Sequence, residues 1–596
     1  MPAPTPLDLS AARLAAMVAL LWLAPAAAGQ NRACPGGLVG EITIENHSVF
    51  DLADEDSQGR LRWAYRLANR LHVATRPEVI RRELLFEAGD CHDPRLLAES
   101  ERVLRTAPFI ADAEITSLRR PDGSHHVTVT TRDEWSLRVE GRLESGGGTK
   151  ITGFSVQEQN LMGTGRQVAA FYRERFGEET YGVSFATPQL LSSRLRLRGE
   201  VGKTQVGFLA GGSLAYPFTG PTGRWAYRLE ARHHDRFFEF IARGDSGLVS
   251  VLFPERRRSL NAGAVRRFGS LERQTFLGAG ISTEWIAYPD SARLSPGTPP
   301  VPGYGDLLDT LSLGMDSIAS VRALLLAGQR NIRYVRRRGF DAVRGMEDVR
   351  LGAEAAFGLG RSVRAFSSGD DISAELGLFA AGEPFSGLMN GFRLFVEGKR
   401  NYDTPPESPE WQDVFTQAEA WAYWRPSSDS RHTWTVSARA MGGWNTRVPF
   451  QLTLGGGAGM RGRPRHLHPA GQRAVFSLEQ RSYLGWPFPH LFDLGGVVFV
   501  DLGRAWAGDV PYGTDSPWEV DAGLGLRLAF PPGSRRTYRL DVGFPLTGGG
   551  SPVFTVGTEQ AIGRRPAEAP QMWRSSRRTL TTSDFVYPDD LSDPDR

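Results

Sequence analysis

The sequence predicts a mainly β protein, a transmembrane antiparallel β-barrel behind one small α+β domain. Three observations carry that expectation. From Trp135 onward the chain breaks into short runs of alternating apolar and polar residues ended by Gly, Pro or Asp, the pattern of a wall that crosses a bilayer in about 10 residues per strand. No stretch beyond the leader holds about 18 uncharged apolar residues in a row, so no spanning helix is expected. Hydrophobic residues make up only 40% of 596, which a soluble multidomain chain would match as well, so it is the periodicity that separates the two classes. A net charge of +3 and a pI near 8.9 are too mild to argue for nucleic acid. The arginines are scattered along strands, which favours solvated or lumenal faces over a phosphate-binding patch.

Residues 1–29 have the layout of a secretory signal: Arg13 precedes an apolar core, Leu14 to Leu23, and Ala26-Ala27-Ala28 supplies small residues for cleavage. Asn31-Arg32-Ala33 before Cys34 is no lipid-attachment signal. The two cysteines, Cys34 and Cys91, are too few for a disulfide scaffold or a zinc site; in an exported chain they either pair or remain two unlinked thiols. The α+β domain spans 38–134. Glu41 to Glu45 alternates as a strand, and Leu61 to Leu71 has apolar positions at helical spacing. Thr75 with Glu78 reads as a capping box opening a helix that stops at Gly89. Asp93-Pro94 opens another, with Leu97, Ser100 and Leu104 on one face. Two alternating runs then flank Pro121-Asp122-Gly123, a hairpin signal.

The barrel is expected over 135–563. Gly163-Thr164-Gly165 makes a tight turn after Gln159-Asn160-Leu161, and counted one by one the strand candidates number about twenty. Tyr288 to Gly328, rich in Pro and Gly, reads as a long extracellular connection, the side on which barrel loops are long. Trp421, Tyr423 and Trp424, and Trp486 with Phe488, stand near strand ends as interfacial girdles should. The tail, 564–596, is rich in Pro, Arg, Asp and Ser and is expected to be disordered.

The most informative stretch is Leu454 to Pro464, LGGGAGMRGRP. Its glycines let the backbone turn sharply and pack closely, yet Arg461 sits among them. A guanidinium has five donors and a permanent charge, so it needs water or carboxylate partners. Two downstream strands each offer one inward-facing acid, Glu479 and Asp501. This constellation resembles the sixth extracellular loop of the BamA/TamA superfamily of outer-membrane barrels, whose Arg-Gly tip folds back into the lumen; here the tip is Met460-Arg461-Gly462-Arg463, with Arg463 where the family carries an aromatic. The words VIRRELLFEAGD, LAESERVLR and TRDEWSL in 38–134 likewise resemble a POTRA domain, the periplasmic module that precedes such barrels. The resemblance implies about 16 barrel strands, a lumenal lock made by Arg461, Gly462, Glu479 and Asp501, a place in the bacterial outer membrane with the POTRA in the periplasm, and a role in inserting or translocating polypeptides. Its partners would be outer-membrane lipid and unfolded barrel or exported clients, met through the POTRA edge strand. A passive pore or surface receptor is the alternative, and an outer-membrane lipase a further one.

No enzyme is expected, and no catalytic residue, metal or cofactor. Gly244-Asp245-Ser246-Gly247 looks like a protease nucleophile segment but lacks a His/Asp framework, and Gly202-Lys203-Thr204 lacks the upstream Gly of a phosphate loop. The pairs His125-His126 and His233-His234 put neighbours on opposite strand faces. His466 and His468 bring no further ligand.

Overall fold

A computed structural model describes residues 34–50, 62–145, 149–175, 178–220, 223–244, 247–270, 272–289, 291–295, 305, 317–403, 409–427, 429–456, 459–464, 467–486, 491–559 and 580–586. The signal segment 1–29 lies outside the described residues. The first unit runs β1 (Val39–His47), α1 (Arg62–Leu71), α2 (Pro77–Glu83), α3 (Pro94–Thr106), β2 (Ile110–Arg119) and β3 (His125–Asp133). Its sheet has the order β1-β3-β2, with β1 parallel and β2 antiparallel to β3. Val79 and Ile80 of α2 and Leu97 and Leu104 of α3 pack on Val127 and Val129 of the sheet. Asp93 caps α3 by accepting from the Arg95 amide at 2.9 Å. The expected Thr75 capping box does not form. Arg76 is the N-cap of α2, no side chain bonds there, and Pro77 sets the first turn. Thr75 is used elsewhere: its amide donates to Asp133 at 2.8 Å and its hydroxyl accepts from Asn160 at 2.8 Å.

The wall follows as β4 (Leu137–Ser145), β5 (Thr149–Leu161), β6 (Arg166–Arg175), β7 (Glu178–Leu190), β8 (Leu195–Thr204), β9 (Gly207–Tyr216), β10 (Trp225–Gly244), β11 (Gly247–Gly269) and β12 (Gln274–Ala287). After the two-residue β13 (Arg293–Leu294) come β14 (Ile318–Arg338), β15 (Met346–Ser362), β16 (Asp371–Phe385), β17 (Leu388–Asn401), β18 (Trp411–Trp424) and β19 (His432–Trp444). The last are β20 (Gln472–Tyr483), β21 (Asp493–Trp506), β22 (Glu519–Ala529), β23 (Thr537–Pro545) and β24 (Val553–Glu559). Each long strand pairs antiparallel with its neighbours, and β24 meets β4 to close the barrel. Leu277, Ile281, Leu325, Leu478, Val498, Leu524 and Leu540 are exposed on the outside, while Glu284, Arg322, Glu375, Glu419, Asp501 and Asp541 are buried inside. That is the inside-out alternation of a membrane barrel.

The wall has twenty strands among the described residues, β4 to β12 and β14 to β24, which overturns the expected 16. Every strand candidate counted singly joins the wall, and none is spent on a hairpin outside it. β10 and β11, of 20 and 23 residues, are long enough at about 3.3 Å per residue to continue well past a bilayer. The expected loop from 288 to 328 is shorter than its composition suggests, because β14 begins at Ile318. Its Leu324-Leu325-Leu326 run hides the alternation: Leu325 faces out, and Leu324 and Leu326 face in but are buried by another part of the chain. Trp421 and Tyr423 are no girdle. Both point inward, Tyr423 donating to Asp341, whereas Trp424 and Trp486 are exposed and Phe488 lies outside the described residues.

The α+β unit sits under one end of the barrel, called here the near end. Gly163, at a φ of 71°, brings the β5–β6 turn so close that a Cβ would lie 2.3 Å from the Ala74 carbonyl oxygen. Arg105 holds Asp348 of β15 with two bonds of 2.8 Å, and Arg536 donates to the Pro108 carbonyl at 2.9 Å. Glu134, in the link to β4, accepts from Ser534, and its burial raises its pKa above the ordinary carboxylate value. At the far end the β10–β11 tip folds over the lumen, where Gln451 exchanges two 2.8 Å bonds with the backbone of Ile241. The stretch 564–596, expected to be disordered, holds one ordered turn, α4 (Ser583–Val586); residues 564–579 and 587–596 of it lie outside the described residues.

Candidate functional site

Between β19 and β20 the chain leaves the wall, enters the lumen and lies against β20 to β23. Odd-numbered residues of these strands face inward, so Glu479, Asp501, Glu519, Asp521 and Asp541 form an acidic wall opposite the loop, with the Ser477 hydroxyl beside them. Arg461 grips Asp501 with both arms of its fork, Nε to Oδ2 at 2.8 Å and Nη2 to Oδ1 at 2.6 Å. Its Nη1 donates to Glu479 and its Nη2 also to Ser477 at 2.8 Å. The guanidinium carbon stands 3.6 Å from the centre of the Phe499 ring, a cation–π contact on the remaining face. Arg461 is 6% exposed and Asp501 1%. A fork and carboxylate so enclosed gain from low dielectric what they lose in hydration only because charge meets charge along bonded donors, four of which run from this side chain to Asp501, Glu479 and Ser477.

Gly462 lets this happen. Its amide donates to Asp521 at 3.1 Å, and a Cβ on it would fall within 2.7 Å of the Asp521 carboxyl carbon. Arg463 then forms a second grip, Nε to Asp521 Oδ1 at 2.9 Å and Nη2 to Glu519 at 2.8 Å and the Thr547 carbonyl at 2.6 Å. Met460 fills an apolar pocket with Leu454, Ala470, Val475 and Ala505. The structure therefore brings together all four residues singled out by the sequence, Arg461, Gly462, Glu479 and Asp501, and adds Ser477, Asp521 and Glu519, which the sequence reading missed. The missing signal was the second acid pair, Glu519-Val520-Asp521, at inward register on the next strand. Arg463 stands where the resemblance carries an aromatic, and the ring in this site comes from the wall instead, Phe499 packing on Arg461.

Cys34 and Cys91 are joined by a disulfide across 57 residues. Of the segments set aside in the sequence, Gly202-Lys203-Thr204 ends β8, and Gly244 pairs with Gly247 across the β10–β11 turn; Asp245 and Ser246 lie outside the described residues, as does His466. Among the described residues no group of His, Cys, Asp and Glu is placed to hold a metal ion.

The second feature is the closure. β4 and β24 pair at two positions, Thr555 with Glu144 and Val556 with Leu143. β24 has seven partners on its other side, from Thr537–Glu559 to Gly543–Val553. Extending the seam register would put residues 557–559 opposite 140–142, yet no ladder forms there among the described residues. β4 also carries an irregularity between Arg142 and Leu143.

No family model matches the chain, and no curated protein sequence does. Among solved structures it is similar to BamA from Haemophilus ducreyi lacking POTRA domains 1–3, at 12% identity and a TM-score of 0.34, over 87% of this chain and 85% of that one. CdiB from Escherichia coli gives 12% and 0.35 over 90% and 93%. CdiB from Acinetobacter baumannii gives 11% and 0.35 over 92% and 96%. At these scores the likeness assigns neither a family nor a role to this chain.

Proposed function

We propose that the protein is an outer-membrane barrel of the BamA/TamA type that assists insertion or translocation of outer-membrane polypeptides, with the α+β unit as a POTRA-like module in the periplasm. The observation that carries this reading is the two-position seam. A closed barrel normally satisfies every strand edge, and a wall that leaves most of the facing edges of β4 and β24 unpaired among the described residues is one that opens there at small cost. Pro552 cannot donate to a ladder and Gly557 gives no side chain to pack, so the sequence of the last strand keeps the seam weak. An extended client would add to the freed edge strand by strand, driven by the cost of leaving its own backbone unpaired in lipid. The role is physical, with no chemical step and no cofactor.

The edges of the sheet β1-β3-β2 are the other place where a client would add. They are partly occupied. Val39 exchanges backbone bonds with Asp90 and Gly89, and Ala113 and Ile115 of β2 are met by Arg105 and Glu101 of α3, which leaves Ser117–Arg119 as the part of β2 for a client strand. The lock of Arg461 and Arg463 would keep the loop on β20 to β23 and so stiffen the wall on one side of the seam, leaving movement to the seam itself. Depleting the protein and profiling the outer membrane tests the proposal. Loss of other barrels is expected; an unchanged profile with a solute leak would overturn it in favour of a passive pore.

A further inference from the structure

At the near end the inner wall of β10 to β14 is apolar. Ala226 of β10, Val265 of β11, Phe276 of β12 and Leu324 and Leu326 of β14 all face inward and are buried, together with Phe218 from the β9–β10 connection. What buries them is the segment Leu580–Val586, through Leu580, Phe585 and Val586. Phe585 is 1% exposed and Leu326 0%.

The fit is polar as well as apolar. The Phe218 amide donates to the Phe585 carbonyl at 3.1 Å, Arg228 Nη1 reaches the Asp584 carbonyl at 3.4 Å, and Ser583 donates to Glu354 of β15 at 2.8 Å. The Asp584 carboxylate accepts from the Thr581 amide at 2.8 Å, which closes the segment into a single turn. The wall is relieved where the turn lies. A Cβ on Gly328 would come within 2.1 Å of Thr582 Oγ1, and one on Gly263 within 2.9 Å of the Phe585 ring. These glycines sit in strands, where they otherwise weaken packing, so the wall is shaped to this segment.

The place of the segment in the barrel gives it a consequence. β24 is next to the seam, whereas β10, β11, β12, β14 and β15 stand halfway round the wall. The chain therefore returns from the seam to the opposite wall. It does so at the end that faces the α+β unit, where Gly220 of the same connection as Phe218 lies against Leu85 and Glu99.

We propose that Leu580–Val586 is an internal latch, a peptide ligand carried by the chain itself for a groove on the inner wall of β10 to β15, and that its release opens the near half of the lumen. The groove selects an acid-closed turn with apolar residues at its first and last positions, as in LTTSDFV. Ion flow reports on the lumen alone and the outer-membrane profile on clients alone, so a barrel without a working latch can still handle clients, and a barrel with one can still be a passive pore.

The full chain in planar bilayers tests it. Phe585→Asp places a charge in the groove, and its conductance is expected to rise several-fold over wild type; the synthetic peptide LTTSDFV added on the side of the α+β unit should bring it back, and the same peptide with Asp for Phe should not. In parallel, Ser583→Cys with Glu354→Cys replaces two side chains that share a 2.8 Å hydrogen bond with two thiols that a short bis-maleimide spans. Both native cysteines are already bonded to each other, so the reagent should link this pair quantitatively and hold conductance at the wild-type level. A folded, heat-modifiable protein in which the pair does not cross-link overturns the latch, as does a folded Phe585→Asp variant that conducts like wild type. Should Phe585→Asp not fold, the cysteine pair decides alone.

Discussion

Arg461→Ala removes the centre of the lumenal lock, and its cost follows from what is left behind. Asp501, 1% exposed, loses both arms of the fork and keeps the Ser477 hydroxyl at 2.7 Å. Glu479 is less stranded because Arg481 still holds it at 2.8 Å. One buried carboxylate is therefore left without its cation, a situation that costs about 3 to 5 kcal/mol. For a cooperative wall of roughly 400 residues the entropy of unfolding is about 0.8 kcal/mol/K, so the midpoint should fall by about 5 °C. The assay is the temperature at which the folded band of the purified barrel disappears on a semi-native gel, with function scored by complementation. Arg461→Lys keeps the charge and loses the fork, and should fall between. Asp501→Asn in the Arg461→Ala background should recover part of the loss, because the stranded charge is gone. An Arg461→Ala protein that melts with wild type and complements fully would refute the lock.

The disulfide between Cys34 and Cys91 closes a loop of 57 residues in sequence separation, which corresponds to about 4 kcal/mol in the chain-entropy picture; mass spectrometry of non-reduced, alkylated protein should find one linked peptide pair, and two alkylated cysteines would contradict it. Arg105→Ala leaves Asp348 without its fork and loosens the α+β unit from the barrel, so limited proteolysis should cut the link at 134–136 faster than in wild type while the barrel stays heat-modifiable.

How much of the fold and the lock was legible in the sequence depended on whether a residue's partner was local in pattern. The strands after the loop alternate cleanly because one face meets lipid and the other charge, and so the inward direction of Glu479 and Asp501 follows from the alternation alone. Arg461 announced its need for acids by standing among glycines. Asp521 and Glu519 obeyed the same inward rule but were missed, because Arg463 was read for the aromatic it replaced instead of for the charge it carried. The start of β14 was illegible for a different reason: Leu324 and Leu326 face a lumen that should be polar, and only the returning segment Leu580–Val586 makes them apolar. That segment was itself hidden, since seven residues in a tail rich in Pro and Asp show no periodicity. Trp421 and Tyr423 misled in the same way, being aromatic near a strand end yet turned inward onto Phe379 and Phe340. Strand number could be counted directly, and the count of about twenty was nearer the wall than the number a resemblance supplied.

The proposed function requires the barrel to part between β4 and β24. Leu143 and Val556 are register partners there, so Leu143→Cys with Val556→Cys places one disulfide across the two-position seam. Cells depending on this variant should assemble other barrels normally under reductant and fail under oxidation, with recovery when reductant is restored. A protein quantitatively cross-linked at Leu143→Cys and Val556→Cys that still supports full assembly would contradict the account.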